Sequence, residues 1–166
     1  MINKSKRLTR IALLAVLITV SGAFKIPGPA GTDFQLSAPL AVAIAAVFGF
    51  KRYILAGVIS STVGFILGTQ TLIHIGIAMI FRVVAGSLVT LVGPVIWAII
   101  IAGPLGSILA RIILSEILGQ GLIPLLVAAL PGIIFTALTA YPLTMVLKGI
   151  AEKINKGGGD YVQTTF

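Results

Sequence analysis

The chain has no cysteine and only four acidic residues, Asp33, Glu116, Glu152 and Asp160. The first absence excludes disulfides and thiolate metal sites, and leaves the redox compartment unreadable. The second leaves no pair of carboxylates at workable spacing for acid–base chemistry and no acidic series for a proton path through a membrane. There is no glycine-rich phosphate loop and no nucleophile beside a histidine. The one histidine, His74, has no second His or Cys with which to share a metal. Nothing here calls for an enzyme, a metal or a cofactor. An ATPase motif is missing too, and 166 residues are too few for a duplicated inverted-repeat carrier.

Charge of either sign is scarce: 10% of residues are charged, against roughly 25% in soluble domains, while 58% are hydrophobic. A chain so composed cannot cover a water-facing surface and belongs in a lipid bilayer. The net charge of +8 suggests nucleic acid at first sight, but its placement excludes that partner. Lys4, Lys6, Arg7 and Arg10 precede the first apolar run, Lys51 and Arg52 separate two runs, and Lys148, Lys153 and Lys156 follow the last. Basic residues so placed mark the cytoplasmic side.

Six apolar runs are expected to form helices. They are Ile11 to Phe24, Leu36 to Phe50, Tyr53 to Gly68, Leu72 to about Leu91, Val95 to about Ser115, and Leu122 to Leu147. The expected fold is an all-α membrane protein, a compact bundle of six transmembrane helices with both termini cytoplasmic. Residues 1–150 form the substrate-binding domain, and the polar, glycine-rich residues 151–166 form a disordered cytoplasmic tail. The segment "KIPGPAGTDFQ" reads as an outside loop. A five-helix bundle with one short run re-entrant is an alternative, and the basic start followed by "SGA" also describes a cleavable signal peptide.

Small residues at helical spacing mark close helix approach, because lipid supplies no hydrophobic drive between helices. Ser60, Gly64 and Gly68 form one such series, and Gly103, Gly106 and Ala110 another. On the first helix Ala12, Ala15, Thr19 and Gly22 make a stripe that serves either internal packing or a docking partner. Pro124, Pro131 and Pro142 are expected to kink the last helix.

Polar groups collect at the ends expected outside: Asp33 and Gln35; Thr69, Gln70 and His74; Glu116 and Gln120. Converging from three segments, they suit a small polar molecule reached from outside. Gln70 and His74, four residues apart, share a face if the fourth helix begins by Gln70. Arg111 and Glu116 are open between ligand contact and snorkelling to headgroups. Arg82 lies mid-run, where a charge costs about 2.5 kcal/mol or more; it is expected to hold helices together.

Three stretches resemble the substrate-binding S components of energy-coupling factor transporters. "LTRIALLAVLITVSGAFKIPGPAGTDFQ" is similar to their first helix and gating loop. "FILGTQTLIHIGIAMIFRVVAG" and "SEILGQGLIPLLVAALPGIIFTALTAYPLTMVLKG" are similar to stretches of the members linked to thiazole, a thiamine precursor. Two departures are present, the first in the docking pair, where Thr19 is still small, and the second against the thiazole type itself. Thr19 replaces the second alanine of the docking pair, and Leu36, Ser37 and Ala38 stand where a histidine and an asparagine are usual. The resemblance implies capture of a vitamin or precursor, thiamine-related at first guess, at the plasma membrane of a prokaryote. It implies docking through Ala12, Ala15 and Thr19 on a transmembrane coupling subunit driven by two cytoplasmic ATPases. An ATP-independent facilitator and a ligand-free membrane scaffold are the alternatives.

Overall fold

The structure, a computed structural model, describes residues 4–27 and 33–158; for residues 25–27, 33–35 and 155–158, and for Lys4 and Lys6, it describes the backbone alone. Among the described residues there are six helices: α1 (Lys4–Ala23), α2 (Ser37–Phe48), α3 (Phe50–Ile66), α4 (Leu72–Val92), α5 (Ile96–Leu118) and α6 (Leu122–Gly158). Between α1 and α2 the expected loop is partly ordered as an antiparallel ribbon of β1 (Lys25–Pro27) and β2 (Asp33–Gln35), with Ile26 opposite Phe34.

Among the described residues three helices are long and apolar enough to cross a bilayer on their own: α4, α5, and α6 over Leu122–Ile154. Helices α1, α2 and α3 do not meet that measure by themselves. At 12 residues α2 reaches about 18 Å, well under the roughly 30 Å of hydrocarbon. Every residue from Pro39 to Ala45 is buried, so α2 is a central post enclosed by its neighbours, which is why it is apolar all round. Gly49, at φ 82°, makes the break that lets the chain turn from α2 into α3.

The helix ends carry their own instructions. At the end of α3, Gly68 adopts φ 69°, and the Thr69 amide reaches back to the Gly64 carbonyl at 2.9 Å while the Gly68 amide bonds Phe65 at 3.0 Å. This is the six-to-one and five-to-two pattern that a left-handed glycine permits. Two residues on, the Thr71 side chain caps α4 by accepting from the His74 amide, and the His74 ring closes a reciprocal capping box. Gly119 (φ 61°) ends α5 in the same left-handed way.

Glycines set the helix contacts. A Cβ at Gly106 on α5 would stand 2.9 Å from the Phe81 ring and 3.1 Å from the Phe81 carbonyl of α4. A Cβ at Gly103 would collide with the Thr136 methyl of α6. A Cβ at Gly86 would meet the rings of Phe50 and Tyr53 at 2.8–3.0 Å. Close backbone approach of this kind is the main source of affinity between helices in lipid.

Two expectations for α6 are corrected. Pro124 is its third residue, in the first turn where no intrahelical amide bond is due, so it does not kink the helix. The tail expected to be disordered from Ala151 is helical as far as Gly158, and Ala151 itself is buried; residues 159–166 lie outside those described.

The first-helix stripe is corrected as well. The inward face of α1 is Ile11, Leu14, Ala15 and Ile18, at steps of three and four. Ala15 is thus 3% exposed. The Thr19 hydroxyl donates to the Ala15 carbonyl at 2.8 Å and is hydrogen-bonded with the Ser60 hydroxyl at 2.9 Å, whereas Ala12 faces outward. The three residues do not form one exposed docking face.

Candidate functional site

The helices alternate in direction, so one end of the bundle gathers the C-termini of α1, α3 and α5 with the N-termini of α2, α4 and α6. The opposite end gathers Arg7, Arg10 and Arg52, near enough to repel one another. A cavity of about 630 Å³ opens at the first end and reaches down to mid-bundle, with all six helices in its wall. Its rim carries Ala23, Leu67, Thr69 and His74; its floor carries Phe81, Arg82 and Thr136.

Arg82 is eleventh in α4, about 15 Å below the helix start. It is 5% exposed. Its Nη1 donates to the Ser61 hydroxyl at 2.6 Å and lies 3.5 Å from the Met79 sulfur. The space for its stem comes from α3: a Cβ at Gly57 would stand 2.6 Å from both Cδ and Nε. The arginine expected to brace helices does so, through a hydroxyl rather than a carboxylate, and it also faces the cavity.

A second cation enters from α5. Arg111 is half-buried, lines the cavity, and has no hydrogen bond or carboxylate among the described residues. Two guanidinium groups in an apolar chamber, with no described acid to balance them, are the dominant electrostatic feature of the site. Buried charge persists only when paired, and an anionic ligand would supply the pairing.

Near the mouth Gln70 is held against α3 by the absence of a side chain at Gly64, whose Cβ would meet the Gln70 amide carbon at 2.9 Å. The Gln70 Oε1 atom is buried and has no hydrogen-bond partner among the described residues. Ser60, Thr136, Ser37 and Ser107 add hydroxyls between floor and mouth, and Ile77, Ala78, Ala128 and Ile133 add apolar wall.

Of the residues expected in the site, Thr69, Gln70 and His74 line the cavity. The helical face predicted for Gln70 and His74 does not exist, because α4 begins at Leu72 with Thr71 as its cap. His74 is exposed, and its Nδ1 lies 3.0 Å from the Thr71 hydroxyl, so that nitrogen is occupied by capping. Glu116 and Gln120 are exposed and are not part of the cavity wall. Asp33 and Gln35 lie in β2, which packs on α6 and α1, but their side chains lie outside those described. Sequence reasoning left Arg111 open between ligand contact and snorkelling; the structure puts it in the cavity wall.

Fold and cavity together define an α-helical membrane protein built around an internal chamber. The chain is 49% identical over 148 residues, 89% of either chain, to protein BioX of Lysinibacillus sphaericus. It belongs to the BioX family. No protein-family model matches the chain, and no solved structure matches it.

Proposed function

We propose that this protein is the capture subunit of a vitamin importer, a non-enzymatic membrane protein that binds biotin or a biotin-related carboxylate from outside the cell. The observation that carries the reading is the chamber with Arg82 and Arg111 in its wall and no described acid beside them. A volume of about 630 Å³ is in the range of small-molecule sites. Biotin has a carboxylate, an apolar body and a polar ring, which are the three kinds of group this wall can complement. The name of the relative, BioX, points to biotin. The thiamine-related ligand suggested by sequence resemblance finds no support in that relative, and the reading moves to biotin.

The basic end, with Arg7, Arg10, Lys51, Arg52, Lys148 and Lys153, faces the cytoplasm in this reading, which turns the chamber mouth outward in a prokaryotic plasma membrane. Both termini then lie inside. Energy for uptake comes from a separate transmembrane coupling subunit and two ATPases, as in the energy-coupling factor transporters whose S components the sequence resembles. That division of labour accounts for a chain with a chamber but no nucleotide motif.

The test is labelled-biotin uptake in a bacterial host lacking its own biotin importers. Expression with a coupling subunit and ATPases is expected to give uptake that stops when ATP hydrolysis is disabled. Uptake of equal rate from this chain alone would identify a facilitator. Absence of both binding and uptake would remove the vitamin reading.

A further inference from the structure

Two glycines of α3 seat two different side chains of the chamber wall. Gly57 and Gly64 are seven residues apart, on one face of the helix and about 10 Å apart along its axis. The deeper glycine seats the Arg82 stem; the outer one seats the Gln70 amide. At the deep end stands a cation fixed by Ser61, and Arg111 adds a second positive charge from α5. At the outer end stands a buried carbonyl oxygen with no described donor. A buried acceptor left open in a binding chamber marks where a ligand donor fits.

We infer that the ligand binds with fixed polarity, carboxylate innermost at the two arginines and an N–H or O–H donor nearer the mouth on Gln70 Oε1. This deepens the proposed function by naming the ligand class: an amphipathic carboxylate with a remote hydrogen-bond donor. A plain fatty acid satisfies only the deep end, and an organic cation is repelled there. Low dielectric strengthens both contacts once water is excluded.

Isothermal titration of the full chain in detergent with two matched pairs tests this inference. One pair is biotin and biotinamide. The other is 8-acetamidooctanoate and its primary amide, with octanoate as the acid lacking a donor. Each acid is expected to bind about 10–100-fold more tightly than its amide, and 8-acetamidooctanoate about 3–10-fold more tightly than octanoate. Arg111→Gln removes most of the first preference; Gln70→Leu removes the second and leaves the first. Equal binding of biotin and biotinamide overturns the carboxylate anchor while biotin capture stands. A Gln70→Leu protein that still prefers 8-acetamidooctanoate to octanoate overturns the donor end. If neither biotin compound binds but the acetamido pair keeps its preferences, the polarity stands and the biotin reading falls. Binding of no acid in the panel overturns both.

Discussion

Gly57 of α3 is the seat on which the Arg82 side chain of α4 rests, since a Cβ at position 57 would lie 2.6 Å from both Cδ and Nε of the arginine. One missing side chain thus decides where a charge stands in the interior. Gly57→Ala is expected to push the guanidinium off Ser61 and weaken biotin binding by about 1.5–3 kcal/mol, the worth of a charged hydrogen bond. Titration calorimetry reads this directly. Unchanged affinity would show that Arg82 does not hold the ligand from this seat.

Ser61 is the other half of that seat, 2.6 Å from Nη1. Ser61→Ala leaves the arginine with only the Met79 sulfur among its described partners. A lowered apparent melting temperature in detergent is expected, with Ser61→Thr restoring much of it. Equal melting of wild type and Ser61→Ala would mean that water satisfies Arg82 as well as the hydroxyl does.

The α5–α6 contact offers a test by suppression. Gly103→Ala forces its new methyl into the Thr136 methyl, an overpacking expected to cost about 1–3 kcal/mol. Thr136→Ser removes the obstructing methyl and is expected to recover most of the loss in the double variant. Additive effects of the two changes, measured by thermal unfolding, would contradict the contact.

Glu116→Gln and Gln120→Ala are expected to leave affinity within about twofold, as exposed substitutions usually do. A large loss in either would place the ligand outside the chamber. The geometry explains why sequence reading placed them in the site. Glu116 follows Arg111 by five residues, which turns it about 140° around α5. Nearness to one helix end brought the two residues together in sequence, but rotation separates them in space.

Much of the fold was legible for reasons of the same local kind. The fourth apolar run begins at Leu72, and the structure starts α4 there, with Thr71 as its cap and a left-handed Gly68 in the turn before it. The lengths of α4 and α5 followed from unbroken apolar runs. What could not be read was the partner of each face. Ala15 and Thr19 are small whether they meet another subunit or, as found, the core and Ser60. The run Leu36 to Phe50 is likewise apolar whether it faces lipid or, as found for Pro39 to Ala45 of α2, its neighbouring helices. Gln70 entered the chamber through Gly64, a contact between residues on either side of a turn that helical periodicity does not encode.

Orientation is testable without a ligand. Single cysteines at Gly119, beside the chamber mouth, and at Lys51, at the basic end, are expected to react with an impermeant maleimide on intact cells in the first case only. The chain has no native cysteine to confuse the readout. Labelling at Lys51 alone would invert the arrangement and turn the chamber inward.

The central claim is that the chamber holds a biotin-like carboxylate, and native mass spectrometry of gently purified protein tests it most directly. Protein from cells grown with biotin is expected to carry one bound molecule of that mass. Ala78→Trp, which fills the wall beside Arg82, and Arg111→Gln, which removes a charge, are each expected to lose it. Wild-type protein that stays empty at saturating biotin, or an Ala78→Trp protein that keeps the adduct, would contradict the account.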